Sequence, residues 1–304
     1  MGEPTSIDTG GRAGRHRRFG LVLSGGGARG FAHAGCLRVL NRMGYFPSVI
    51  VGVSMGAVVA ATYALNDRWY DDLMGMDVSG FPSLPDFSEP GPVRFLRNLR
   101  KAQKAAFGMY FGWGVGQPKM DWGRHLLRDL THGARIEDGR VPVLVTATDL
   151  ATGKRVVLGK GPAADLVYAS SALAGILPPA MIDGRMLVDG GYCDLAPVDV
   201  ARDAGIDVVI AVNASTSSRS DLPQNGFQAM VRGLEICQNE HAHLRFGQAD
   251  LVLRPVLDPP VAVLDFSTRR RCSAAGIRAA RRAASDLAHL LGSPGTPAQA
   301  ANGK

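Results

Sequence analysis

Ser54 lies between two glycines in Gly52-Val53-Ser54-Met55-Gly56, a G-x-S-x-G pattern preceded by the apolar run Ser48 to Val51 and followed by the helix-compatible run Ala57 to Leu65. Glycines on both sides of a serine remove the side chains that would clash in a sharp strand-to-helix turn, so the hydroxyl is held up at the end of the strand. The helix start behind it favours developing negative charge. This is the pattern of a nucleophile elbow. A second loop, Gly25-Gly26-Gly27-Ala28-Arg29-Gly30, follows Phe19 to Leu23 and opens a helix-like run from Phe31 to Met43. Its backbone N–H groups suit an anion. Gly25, Gly27 and Gly30 also satisfy the dinucleotide fingerprint, so a cofactor pyrophosphate and a transient oxyanion both fit the loop by itself. A dinucleotide site wants an acid about 20 positions further on, at the end of the second strand. Ser48-Val49-Ile50-Val51 carries none.

A serine hydroxyl needs an acceptor for its proton. In the order Ser, acid, His of the α/β-hydrolases, the tempting candidates with an acid before them are His241 and His243. They fall in a polar helical stretch, Glu235 to His243, with no glycine or turn residue, and read as surface positions. His33, three residues into its helix, reads as packing or capping. Two carboxylates are more informative. Asp189 follows the short apolar strand Met186-Leu187-Val188 and precedes Gly190 and Gly191, where another backbone can come close. Asp149 ends the strand Val141 to Thr148 in the same way, ahead of a Leu-Ala-Thr-Gly turn. Open α/β sheets gather functional groups beyond the carboxyl ends of their strands, and turn initiation is the alternative role for either residue. Arg29, the one charged residue of the glycine loop, admits a contact to lipid phosphate or an ion pair that braces the loop.

Together these segments resemble the patatin-like phospholipases. The glycine loop, the elbow and Asp189-Gly190-Gly191 look like that family's three signatures, in order. The resemblance extends to Asp149-Leu150-Ala151-Thr152-Gly153, to Ala169-Ser170-Ser171 through Pro178-Pro179, and to Pro197-Val198-Asp199-Val200-Ala201, covering about residues 19 to 213. One position departs: where many relatives have a proline after the Ala-Ser segment, this chain has Ala174, a difference confined to a local turn. The resemblance implies a three-layer α/β/α fold with a mainly parallel central sheet, and a Ser–Asp dyad without histidine. Ser54 would be the nucleophile, Asp189 the proton acceptor, and the amides of Gly25, Gly26, Gly27 and Met55 the oxyanion hole, with Gly30, Gly52, Gly56, Gly190 and Gly191 as motif glycines. It further implies a lipid acyl hydrolase acting on phospholipid or lysophospholipid esters, with no cofactor and no metal. An aspartate serving as base must have its pKa raised above the ordinary value of about 3.9, and the apolar Leu187 and Val188 before Asp189 fit that need. The alternatives are a non-catalytic lipid-binding or regulatory protein of the same fold, a general serine esterase with a Ser-Asp-His triad, and a nicotinamide-dependent oxidoreductase that would explain the first loop alone.

The elements that must hold these residues follow from pattern. Strands are expected at about 19–23, 48–52, 141–148, 154–158, 186–188, 207–212 and 249–253, with helical stretches between most of them, which predicts a mainly parallel sheet. A single domain is expected over 19–291, with a helical extension at 226–291, between a basic tail at 1–18 and a Gly/Pro/Ala/Asn tail at 292–304. Hydrophobic residues at 46% suffice for a sizeable core. Cys36, Cys193, Cys237 and Cys272 form no C-x-x-C pair and signal neither zinc nor a disulfide framework, which points to a reducing compartment. Residues 43–66 carry no charge and mimic a membrane span, yet Pro47, Gly52, Ser54 and Gly56 within them fit a buried strand and elbow helix better. The first 18 residues lack the apolar stretch of a secretory signal, so a cytoplasmic location is expected, with peripheral membrane contact as a variant.

The net charge of +7 resides in two segments: 1–18 carry four arginines against Glu3 and Asp8, and 268–291 carry six against Asp286. The second reads as a basic helix with Ile277, Ala280, Ala284, Leu287 and Leu291 on one face, suited either to an anionic membrane surface or to packing on the sheet. No nucleic-acid recognition motif accompanies the charge. Residues 67–120 mix aromatics and prolines and admit an acyl groove with a cover, or ordinary core. Residues 214–225 read as a polar loop.

Overall fold

The computed structural model describes residues 17–79, 120–215 and 226–292, with a few isolated positions between them. The two expected tails, all but a few positions of 80–119, and most of the 214–225 loop lie outside the described residues.

Among the described residues eight strands form one sheet: β1 (Phe19–Leu23), β2 (Val49–Val53), β3 (Val143–Asp149), β4 (Arg155–Leu158), β5 (Ala180–Ile182), β6 (Arg185–Asp189), β7 (Val208–Val212) and β8 (Leu251–Leu253). The hydrogen-bonded path runs β5-β6-β3-β2-β1-β7-β8, with β4 on β3. From β3 to β8 every pairing on this path is parallel, and β4, β5 and β6 add three antiparallel pairings. Every residue of β1, β2 and β7 is buried, as parallel strands covered on both faces require. The helices among the described residues are α1 (Phe31–Arg42), α2 (Met55–Leu65), α3 (Trp69–Gly75), α4 (Met120–Leu130), α5 (Ala163–Ser171), α6 (Val198–Asp203), α7 (Gly226–Phe246), α8 (Arg269–Arg282) and α9 (Ala284–Leu291).

Alternation along β1 divides the core into two layers. Phe19, Leu21 and Leu23 pack with α1, α2, α5 and α8, whereas Val22 packs with Val198 and Val200 of α6 and with Ala242 and Phe246 of α7. The fold is therefore the expected three-layer α/β/α arrangement. Two features differ from expectation. The strand β5 was too short to read from sequence. The run expected as one helix over 268–291 is two, breaking at Ala283.

The apolar side of α8 is occupied by α1. The two helices cross so closely that a Cβ on Gly35 would collide with Ser273 O, and one on Gly276 with Ala32 O. Two arginines of α8 are bonded to backbone carbonyls, Arg269 to Met74 O at 2.7 Å and Arg271 to Pro259 O at 2.8 Å. The uncharged stretch at 43–66 is β2 and α2, both buried. Among the described residues no helix is long and apolar enough to cross a membrane.

Candidate active site

The strand β3 is the template on which the site is assembled. Val145 and Thr146 pair with both β2 and β4, and Ala147 and Thr148 with both β4 and β6. A strand has only two edges, so β4 occupies one and β2 and β6 share the other, end to end. Val53 is opposite Thr146, and Asp189 opposite Ala147. Ser54, the residue after Val53, is thus brought against Asp189 by register alone. The sequence places Asp189 directly after a short apolar strand of a mainly parallel sheet, without giving that strand's direction. In the fold β6 is antiparallel to β3 and descends onto the end of β2.

Ser54 has φ +53°, in the left-handed region that strains a residue with a Cβ. The turn that imposes this is held from outside: the Ser54 N–H donates to Ser170 Oγ at 3.0 Å, and the Ser170 hydroxyl donates to Thr146 O at 2.7 Å. Gly56 is required because a Cβ there would strike Leu23 O at the end of β1. The elbow helix can approach the sheet only without it.

Asp189 is buried, at 2% exposure. Its carbonyl accepts the Thr148 hydroxyl at 2.9 Å, and its Oδ1 accepts the Gly191 N–H at 2.8 Å. Oδ2 is buried with no hydrogen-bond partner among the described residues. Burial pushes the carboxyl pKa up to about 6, while the nearby Ser54 hydroxyl and the Gly191 amide pull it down. The Ser54 hydroxyl is thus near enough to the carboxyl to favour its charged form. Asp149 is different: its Oδ1 accepts the Ala151 N–H at 2.9 Å, and that bond holds its pKa below the ordinary value. It closes a turn.

The four amides around the glycine loop have unlike partners. Gly25 N–H donates to Leu195 O at 3.2 Å and Ala28 N–H to Val263 O at 2.7 Å. The amides of Gly26 and Gly27 have no acceptor among the described residues. Gly27 adopts φ +55°, open to glycine at no cost. Arg29 holds the loop from behind: its backbone N–H and its Nε both reach Gly26 O at 3.2 Å, and its Nη2 pairs with Glu235 Oε1 at 3.2 Å. The bracing contact is present. The Met55 N–H, first in α2, is one of the orphan donors of a helix start.

Gly27, Ser54 and Met55 line one cleft, partly open to solvent. Its other walls are mainly apolar, with Leu126 and Leu127 from α4, Leu173, Leu177 and Phe266. Of the aromatic and proline-rich stretch at 67–120, the described residue on this wall is Met76. Its first turn, α3, packs as ordinary core through Leu73.

The histidines stand apart from this chemistry. His241 and His243 are exposed on α7. His33 is fully buried, with its Nε2 2.8 Å from Ser24 O and its pKa lowered to about 4 by burial. Sequence reasoning missed the supports of the site. Glu235 binds Arg29, and Gln238 Nε2 donates to Gly191 O at 3.0 Å. The buried Asp194 pairs with Arg155 at 2.7 Å and Arg245 at 2.8 Å, tying the chain after Gly191 to β4 and α7. The available signal was spacing: Glu235, Gln238, Ala242 and Arg245 repeat at three and four residues, one helix face.

A family model described as patatin-like phospholipase matches residues 21–202. A patatin-like phospholipase domain-containing protein of Caenorhabditis elegans is 33% identical over 213 residues, which are 68% of this chain and 14% of that protein. A lysophospholipase of Pyricularia oryzae is 31% identical over 209 residues, 68% of this chain and 13% of its own length. The chain thus spans a minor part of both relatives. Among solved structures, VipD from Legionella pneumophila aligns with 90% of this chain and 67% of its own, with a TM-score of 0.49 and 15% identity.

Proposed function

The chain belongs to the patatin-like phospholipase family, and on that footing we propose that it is a serine acyl hydrolase cleaving carboxylic esters of lipids through Ser54 and Asp189. The observation that carries this reading is the buried Asp189 carboxyl, whose Oδ2 has no hydrogen-bond partner among the described residues, beside the hydroxyl of a serine on a strained elbow. A carboxyl with a pKa of about 6 is ionised at neutral pH and is a far better base than an ordinary aspartate.

Ser54 Oγ attacks the ester carbonyl carbon as its proton passes to Asp189 Oδ2. The carbonyl oxygen becomes an oxyanion in front of the N–H groups of Gly26, Gly27 and Met55, each typically worth about 2.7–4 kcal/mol of barrier. Gly25 contributes by position, since its own amide is taken by Leu195 O. Collapse of the tetrahedral intermediate breaks the ester C–O bond, and the departing alcohol takes the proton from Asp189. Water then attacks the acyl-serine, Asp189 accepts its proton, and Ser54 regains that proton as the fatty acid leaves. The apolar walls of the cleft suit an acyl chain, and the name of the fungal relative favours lysophospholipid. A fluorophosphonate probe should label the parent and leave Ser54→Ala unlabelled. Equal labelling of both would remove Ser54 as nucleophile, and a lipid-class hydrolysis panel would identify the head group.

A further inference from the structure

Helix α7 touches both halves of the site from outside the cleft. Glu235 and Gln238 lie one turn apart on it, and neither lines the cleft. Glu235 pairs with Arg29, with side chains 10% and 5% exposed, and Gln238 donates to Gly191 O. Each contact reaches a reacting group through the backbone of a glycine: across one peptide at Gly26, and through the residue itself at Gly191. Arg29 Nε and N–H fix Gly26 O, and in a planar trans peptide the next N–H points the opposite way. The direction of Gly27 N–H is therefore set by Arg29, and Arg29 by Glu235. On the other side, Gly191 N–H holds Asp189 Oδ1, and Gln238 holds the carbonyl of the same residue.

Both targets are glycines, whose backbones have no conformational preference of their own to keep them in place. A third contact, Arg245 to Asp194 at 2.8 Å, anchors the far end of α7 to the chain that follows Gly191. Buried Ala242 and Phe246 fasten the helix to the sheet between and beyond these points. A single rigid element thus carries the supports of the oxyanion donors and of the base.

We propose that α7 is the gauge that fixes the separation of the two, with Glu235 and Gln238 as positioning residues. The inference rests on the Ser54–Asp189 reading. It predicts two different kinetic signatures for changes on one helix. Hydrolysis of p-nitrophenyl butyrate by the full chain would be followed against pH, with Tm measured for each variant.

In Glu235→Gln the ion pair is lost and Gly27 N–H is no longer aimed. We expect kcat to fall about 10- to 100-fold, KM to change less than about threefold, and the acid limb of the pH profile to stay where it is. Arg29→Lys keeps a charge for Glu235 but not the fork onto Gly26 O. It should give the same pattern, so the result does not depend on Glu235→Gln folding. In Gln238→Met, Gly191 loosens and its hydrogen bond to the charged carboxylate weakens, so the acid limb moves to higher pH, with a smaller fall in kcat. Arg29→Ala combined with Glu235→Ala should be no slower than Arg29→Ala alone, because the two act as one unit.

Ser54→Ala is run beside them. If it turns over at the parental rate, the nucleophile assignment fails and the inference with it. If Ser54→Ala is inactive while well-folded Glu235→Gln and Gln238→Met have parental kinetics, or lose activity equally with no movement of the acid limb, the positioning role is overturned and the dyad stands.

Discussion

Asp149 and Asp189 stand two register positions apart on β3 and β6: Ala147 is opposite Asp189, and Asp149 opposite Leu187. Each ends a strand, each is followed by a turn containing glycine, and each accepts a backbone N–H two residues on. Yet one carboxyl is held below its ordinary pKa, chiefly by the Ala151 amide, while burial lifts the other to about 6. The difference is not the position on a strand. Asp149 is balanced by donors from its own turn and by Arg185. Asp189 has one oxygen bonded to the Gly191 amide and the other buried without a hydrogen-bond partner among the described residues. Burial with one oxygen unsatisfied raises a carboxyl pKa, and donors from its own turn lower it.

This contrast can be broken most directly by exchanging the charge at each position. Asp189→Asn should lower ester hydrolysis by about 100- to 10,000-fold, the range of a general base, whereas Asp149→Asn should stay within about threefold of the parent. Comparable losses in both would dissolve the distinction. A second effect lies in stability. A carboxyl whose folded pKa is raised binds more protons folded than unfolded, so Asp189 costs stability as pH rises from its unfolded value of 3.8 through about 6. Chemical denaturation at pH 3 and pH 7 should therefore show Asp189→Asn gaining on the parent by on the order of 3 kcal/mol between the two. For Asp149 the sign reverses: its lowered pKa adds stability above its unfolded value, lost as pH falls. Asp149→Asn should thus lose ground to the parent over the same interval.

The pH profile sharpens the comparison further. The kcat/KM of the parent should fall about tenfold per pH unit below the Asp189 pKa of about 6, and Asp149→Asn should not move that limb. A limb near the ordinary aspartate value would mean that the carboxyl is not desolvated in solution. The smallest effect is expected at Thr148, whose hydroxyl pins the Asp189 carbonyl. Thr148→Val should cost about 1 kcal/mol of stability, as for loss of one hydrogen bond, with a modest loss of activity.

Much of the fold was legible because its strands are buried and continuous. The runs at 19–23, 48–52, 207–212 and 249–253 coincide with β1, β2, β7 and β8 to within two residues. β5 was not, because three residues after Pro178-Pro179 leave no period to detect. The direction of β6 was hidden too, since a five-residue strand reads alike either way, and its meeting with the end of β2 depends on pairing that composition does not encode. Ser54 was visible because an elbow is made of its own neighbours. The brace on Arg29 was half visible: an ion pair was expected, but its partner Glu235 is 206 residues away. Glu235 and Gln238 looked like solvated helix positions because polar residues on a helix ordinarily face water. The break at Ala283 had no glycine or proline to announce it.

The crossing of α1 and α8 has a consequence in evolutionary terms. Gly276 lies beyond the segment 21–202 that the family model spans, yet it meets the backbone of α1 in the first turn of that helix, at Ala32. Any residue larger than glycine there would push α8 away from the helix that begins where the glycine loop ends. Drift at 276 is therefore closed as firmly as at the motif glycines, although no chemistry happens there. Lineages that carry α8 should keep glycine at both 35 and 276, or replace the two together.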